Sequence, residues 1–257
     1  MLLRDALLDG QPLANMGAIE AMRDHARAAY PEEAVGFLMQ DGSYAPQANI
    51  YSEPARGGRV NPDDLGAVIR AGTLRAFFHS HPDGPDCPSE QDMRSQVELD
   101  VPWIICSANA SATLPPFAWG DTLVDPSDLV GRPFRHGVTD CYATIRAWYQ
   151  RERGVLLPDF ARQWEWWLED TDGDKDLYRR YFAEAGFRQI DQSEVERGDV
   201  WLAQIRSNVP NHAGVYLGDG LALHHPSSML ASDPARLSKR EPIAKWQRHI
   251  THWLRRD

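Results

Sequence analysis

The chain has 257 residues, 42% of them hydrophobic, with 27 basic against 37 acidic side chains and a formal net charge of −10. That composition supports a sizeable core and one large or two ordinary domains, and its acidic balance argues against a protein that tracks nucleic-acid phosphates, so no nucleic acid is expected as a partner. No apolar run reaches the roughly 18 residues of a membrane span, the opening Met1-Leu2-Leu3-Arg4-Asp5-Ala6 has no secretory signal, and Cys87, Cys106 and Cys141 are too few and odd in number for a disulfide framework.

Apolar Ile19, Met22, Ala26 and Ala29 recur at helical spacing across 15–30, and the run Val35–Met39, stopped by Asp41-Gly42, predicts a strand. Asn61-Pro62 reads as an N-cap and first helical position, followed by a Leu65, Val68 and Ile69 stripe and a stop at Gly72. Residues 74–81 predict a strand, Ser89 opens a helix, and 102–107, with Trp103, Ile104 and Ile105, predict a buried strand. This alternation is that of a small α/β domain. From 114 to 137 apolar periodicity disappears among Pro115, Pro116, Pro126, Pro133, Gly120 and Gly131, which reads as a linker. The expected division is a first domain at 1–118, a linker at 119–137 and a second domain at 138–257. In the second half Asp140 precedes an amphipathic helix with Ile145, Trp148 and Tyr149 that stops at Gly154. A Trp-rich segment (Trp164, Trp166, Trp167) follows, then a helix near 177–185 ending at Gly186. Strands are predicted at 199–205, 212–217 and 221–225, the last two joined across Asp219-Gly220. The order is α+β.

His79-Ser80-His81 lies on a predicted strand, whose period of two places both imidazoles on one face. A loop from Pro82 to Pro88 then enters a helix whose first turn carries Asp92. Two imidazoles and a carboxylate are a donor set for one Zn2+ with a fourth position open to water, whose pKa falls to about 7 on such a metal. Ser89-x-x-Asp92 also has capping-box spacing, so both residues could serve only to start the helix. The full pattern of H-S-H-P, a Pro82-to-Pro88 spacer and S-x-x-D resembles the JAB/JAMM metalloproteases, a family with the MPN fold. That resemblance implies His79, His81 and Asp92 as zinc ligands. It implies a glutamate three residues before a glycine, Glu33 in Pro31-Glu32-Glu33-Ala34-Val35-Gly36, as general base and then acid to the leaving amine. It also implies Ser89 as an oxyanion stabiliser. Glu32 is the alternative to Glu33, and Cys87 is read as a bystander inside the motif's loop.

Thr139-Asp140-Cys141 opens the helix of the second half. A cysteine there meets the positive end of the helix macrodipole, which favours its thiolate. A nucleophilic thiol also needs an imidazole base and a group that fixes the tautomer of that base. Each candidate has a structural reading as well: Cys141 as a small buried residue, His212 as a strand-edge histidine, His224-His225 as a polar strand end before Pro226. Together, Asp-Cys at a helix start, His212-Ala213-Gly214-Val215-Tyr216-Leu217-Gly218 on a strand and a histidine on the next strand resemble the NlpC-type papain-like cysteine peptidases, which cleave peptide links in bacterial cell walls. The resemblance implies Cys141 as nucleophile, His212 as base and His224 as the orienting residue. A two-residue Asp219-Gly220 hairpin would put His225 on the face of His212, whereas a three-residue loop with a bulge puts His224 there; the family spacing favours His224. Tyr142-Ala143 after the nucleophile and a gap of 71 residues from Cys141 to His212 depart from the family pattern. The Trp-rich insert in that gap reads as a hydrophobic cap or as a partner-docking surface.

A JAMM-like α/β domain followed by an NlpC-like α+β domain resembles the tail tip assembly protein K family of long-tailed, lambda-like phages. The resemblance implies assembly in the host cytoplasm, residence at the virion tail tip and other tail tip proteins as partners. It implies a peptide or peptidoglycan substrate and two peptidase sites used in tip maturation or cell-wall penetration. The alternative is a structural tail tip component whose sites are masked or idle. A deubiquitinase-like isopeptidase, drawn from the first half alone, leaves residues 138–226 unexplained.

Overall fold

The computed structural model describes residues 1–125, 127–168 and 176–256. Its first unit, Met1–Pro126, begins with a hairpin of β1 (Leu7–Leu8) and β2 (Gln11–Pro12). Asn15 then accepts a hydrogen bond from the Ala18 amide and starts α1 (Met16–Ala29), whose buried stripe is Ala18, Ile19, Met22 and Ala26. β3 (Val35–Met39) and β4 (Tyr44–Gln47) form a hairpin. α2 (Pro62–Arg70) starts at the Asn61 cap as expected, but none of its residues is buried and Ile69 stays exposed; the apolar stripe there marks a helix without marking a core face. β5 (Leu74–Pro82), α3 (Glu90–Leu99) and β6 (Trp103–Ala108) form a crossover in which β5 and β6 run parallel. With β7 (Phe117–Trp119) the sheet order is β4-β3-β5-β6-β7, and β8 (Leu123–Val124) pairs with β1.

The pleat of this sheet sorts β5 into two faces. Phe78 joins Leu38, Ile104, Cys106 and α1 in one core. Phe77 and His79 take the opposite face, packed on the Trp103 ring. The imidazoles therefore stand on the side away from α1.

The second unit, Ser127–Asp257, starts with β9 (Pro133–Arg135), α4 (Cys141–Arg153) and the short α5 (Leu177–Tyr181). β10 (Phe187–Ile190), β11 (Val200–Ala203), β12 (His212–Gly218) and β13 (Leu221–His224) follow, then β14 (Ser232–Leu237), β15 (Lys239–Pro242) and β16 (Ile250–Arg256). The antiparallel sheet has the order β10-β16-β11-β12-β13-β15, and β14 pairs with β9. α4 buries Ile145, Trp148 and Tyr149 against Val200, Leu202, Ala213, Val215 and Leu223. Asp140 caps it by accepting from the Ala143 amide, and Gly154, at φ +64°, ends it in the left-handed region.

Several features depart from the sequence expectations. The stretch read as a linker carries β8 and β9, and the two units divide after Pro126. The helix expected near 177–185 is regular only over Leu177–Tyr181. β16, for which no strand was expected, lies between β10 and β11. Among the described residues no helix is long and apolar enough to cross a membrane.

Candidate active sites: a metal centre and a thiol

Alternation on β5 brings His79 and His81 together, and the start of α3 supplies Asp92 from across the Pro82–Pro88 loop. The two imidazole Nε2 atoms are 3.0 Å apart, and Asp92 lies 3.2 Å from His79 and 3.4 Å from His81. A tetrahedral ion with bonds of about 2.0–2.1 Å requires ligand–ligand edges of about 3.3 Å, so these three donors fit one divalent metal. The His81 Nδ1–H donates to the Pro85 carbonyl at 3.0 Å, which leaves the lone pair of the neutral ring on Nε2, the atom that faces the other donors. Burial alone would lower the His81 imidazole, but the Asp92 carboxylate raises it overall. Burial alone would likewise raise Asp92, but the two imidazoles hold it well below the usual carboxylate range.

Both readings of Ser89-x-x-Asp92 coexist. Ser89 Oγ accepts from the Asp92 amide, and Asp92 Oδ2 accepts from the Ser89 amide at 2.8 Å and its hydroxyl at 2.7 Å. The capping box starts α3 and, in doing so, aims the carboxylate at the imidazoles. The serine between the histidines also has a function: Ser80 Oγ accepts from the Ala34 amide at 2.8 Å and ties β5 to the residue after Glu33. Glu33 is within electrostatic reach of His79, His81 and Asp92, and burial raises its pKa; Glu32 is exposed. Asn49 holds the Glu33 main chain by donating to its carbonyl at 3.0 Å. A methyl group on Gly58 would lie 2.5 Å from Val35 Cγ1 and 3.0 Å from Glu33 Oε2, so this loop approaches the carboxylate without room for a side chain. Gly58→Ala is therefore expected to displace Glu33 and lower hydrolysis by the first unit while its metal content, measured by mass spectrometry, stays at the wild-type value. Cys87 is buried and stands outside the converging set.

In the second unit Cys141 is the first residue of α4 and His212 the first of β12, and both line one cavity of about 80 Å³. The sulfur lies 3.2 Å from the Tyr178 hydroxyl. His212 Nε2 is 2.9 Å from His224 Nδ1, and His224 Nε2 is 2.6 Å from Glu241 Oε1. The His212 Nδ1 atom is buried with no hydrogen-bond partner. The choice between His224 and His225 rests on one bulge. Tyr216 pairs with Ala222 and Gly218 with Leu221, which leaves Leu217 over and pairs Gly214 with His224. His225 does not meet the His212 ring; it lines the cavity and donates to the Arg132 carbonyl at 2.8 Å.

The thiol corrects an expectation. Its place at the helix N-terminus favours a thiolate, but burial pushes the Cys141 thiol up to about 11, with the Asp140 carboxylate adding to the effect and Tyr178 opposing it. Burial also holds His212 well below its ordinary range, and the neighbouring His224 adds to that. At rest the thiol and the imidazole are therefore both neutral. Only the thiolate is nucleophilic, so alkylation of Cys141 by iodoacetamide is expected to be slow near pH 6 and to keep accelerating toward pH 11. Peptide mapping that showed a plateau already at pH 7 would mean a thiolate–imidazolium pair instead.

Several residues around the thiol were not evident from the sequence. Arg162 is buried between Asp140, at 2.8 Å, and Asp159, at 3.0 Å. It holds the Asp140 carboxyl down at about 2, against the burial that would raise it. Trp164 packs on Phe134 and His136, and Trp164, Trp166 and Trp167 all line the cavity, so the insert's tryptophans wall the thiol site. Glu241 sits in a Lys-Arg-Glu-Pro stretch for which the sequence offered no expectation and which forms β15.

The model of the NlpC/P60 family matches residues 116–253, and that of the prokaryotic homologs of the JAB domain matches residues 16–119. The chain is 39% identical over 197 residues to tail tip assembly protein K of Escherichia phage lambda, covering 76% of this chain and 87% of the relative. It is 32% identical over 214 residues to tail tip assembly protein K of Escherichia phage N15, covering 80% and 83%. The chain is also similar to a probable TtuB-protein conjugate cleaving protease of Thermus thermophilus, 31% identical over 97 residues, 35% of this chain and 65% of that one.

Proposed function

Because this chain belongs to the tail tip assembly protein K family, with a JAB domain ahead of an NlpC/P60 domain, we propose that it is a two-site peptidase of the phage tail tip. The observation that carries this reading is convergence. In each unit, side chains from separate elements gather at one place: His79, His81 and Asp92 lie within reach of a single ion in one, and Cys141 and His212 line a common cavity, with His224 at hydrogen-bond distance from His212, in the other.

We assign one Zn2+ to His79, His81 and Asp92, since two nitrogens and one oxygen leave the open position of a hydrolytic site. When bound, zinc supplies Lewis-acid activation of water and of the scissile carbonyl. Glu33 accepts the proton of the attacking water and returns it to the leaving amine. Ser89 donates to the developing oxyanion, which requires its hydroxyl to turn from Asp92.

At the second site His212 Nδ1 takes the Cys141 proton and the thiolate attacks the carbonyl carbon. The C–N bond breaks as His212 protonates the amine, and water then releases the acyl group from sulfur. His224 holds the His212 ring through Nε2. The substrate is a cell-wall peptide, or a tail protein cut during tip maturation. The protein works with other tail tip proteins, first in the host cytoplasm and then at the tip of the virion. A second reading, a structural component with a masked thiol, is favoured by the Tyr178 hydroxyl at the sulfur.

Incubation of the full chain with purified peptidoglycan and with tail proteins tests both readings. Two classes of product are expected, one lost in Glu33→Gln and the other in Cys141→Ala. Identical products from wild type and both variants would overturn the peptidase reading. A thiol product seen only after Tyr178→Phe would favour the masked one.

A further inference from the structure

We propose that Glu241 is a positioning residue that sets the tautomers of His224 and His212 and so leaves His212 Nδ1 bare to accept the Cys141 proton. The proposal rests on the thiol-peptidase reading of the second unit. It follows from counting protons along one chain of contacts.

Glu241 is on β15, opposite Ala222 of β13, and is buried at 8% exposure. Its Oε1 faces His224 Nε2 at 2.6 Å and accepts from Trp246 Nε1 at 3.0 Å; its Oε2 faces Lys245 at 3.0 Å and Lys239 at 3.1 Å. These donors hold the carboxyl down at about 2 although burial alone would raise it. An ionised carboxylate only accepts hydrogen bonds, so the proton between Glu241 and His224 is on His224 Nε2. Burial lowers His224 to about 4, with Glu241 opposing, so at neutral pH that ring carries one proton and its Nδ1 is a lone pair. His224 Nδ1 must then accept from His212 Nε2–H across 2.9 Å. His212, also neutral, has spent its one proton on that bond. Its Nδ1 is left bare, and it is the ring atom that is buried without a partner.

The same geometry says what an isosteric amide would do. In Glu241→Gln the two lysine ammoniums outweigh the single Trp246 indole N–H, so they retain the amide oxygen and turn the NH2 toward His224, and the indole N–H loses its acceptor. The chain of protons then inverts: His224 Nδ1–H donates to His212 Nε2, and His212 carries its proton on Nδ1, where a base is needed. A residue that merely filled space would be replaced by glutamine without loss.

Nitrogen spectra of the full chain labelled with 15N-histidine, with His212 assigned through a His212→Gln variant, test this directly. His212 is expected to be the Nε2–H tautomer in the wild type and the Nδ1–H tautomer in Glu241→Gln, with the backbone amide spectrum unchanged. Thiol-dependent hydrolysis is expected to fall by about 10²- to 10⁴-fold, the scale of a wrong tautomer in a triad, with partial recovery in Glu241→Asp. An Nε2–H His212 in both proteins would overturn the proposal, as would an Nδ1–H His212 in the wild type. The tautomer readout does not need a substrate. A wild-type chain with the expected tautomer and no hydrolysis would therefore overturn the peptidase reading while leaving the assignment of Glu241 intact.

Discussion

Cys141→Ala is expected to abolish thiol-dependent hydrolysis, a loss of about 10⁶-fold in turnover if the site works as a nucleophile–base unit. Among the described cavity-lining groups the sulfur is the strongest nucleophile once deprotonated, and the Tyr178 hydroxyl lies 3.2 Å from it. His212→Ala should cost nearly as much, because a thiol with its pKa near 11 is protonated at neutral pH without its base. The effects should not add: the double variant is expected to be no slower than either single one, since each removes the same step. Rates measured on peptide products assigned to this site decide it. Additive losses would mean that the two side chains act separately. The metal content of all three variants should match the wild type, because the first unit supplies all three metal ligands.

Glu33→Gln and Asp92→Ala should separate metal binding from hydrolysis in the first unit. On the proposed reading Asp92 is one of three donors, and its loss is expected to bring the bound metal to near zero under dialysis. Glu33 is outside that donor set, so Glu33→Gln should keep the metal and lose about 10²- to 10⁴-fold in rate, the range of a general acid–base group. Asp92→Ala also removes the α3 capping box, which by itself costs about 0.5–2 kcal/mol. Asp92→Asn controls for this, because its amide oxygen can still cap the helix while its negative charge is gone. Elemental analysis and peptide products together give the answer. A Glu33→Gln protein without the metal, or an Asp92→Ala protein that retains as much as the wild type, would refute this division of labour.

The metal centre was legible because its geometry is local. Two histidines two residues apart on a strand share a face, and Ser89-x-x-Asp92 sets a helix start within one turn. The alternation that predicted β5 is also what directs His79 away from α1. The thiol site was legible in its residue types and only partly in its arrangement. Whether His224 or His225 meets His212 depends on the single extra residue at Leu217, because a one-residue slip moves a side chain to the other face of the sheet. Asp219-Gly220 alone suits the shorter turn. β16 escaped notice although it lies inside the sheet, and the α2 stripe was visible although its Leu65 and Val68 are only half-buried and Ile69 is exposed.

Residue identity and short spacing therefore determined which groups could bind a metal, which could attack, and the helix and strand carrying each. Only the tertiary structure decided their protonation and direction. Cys141 is made less acidic by burial in a cavity where its nearest hydroxyl comes from Tyr178, 37 residues away. His212 receives its tautomer from Glu241 through His224, across strand pairings that no local pattern specifies. Desolvation and hydrogen-bond direction depend on what packs around an atom, and here those neighbours come from distant parts of the chain.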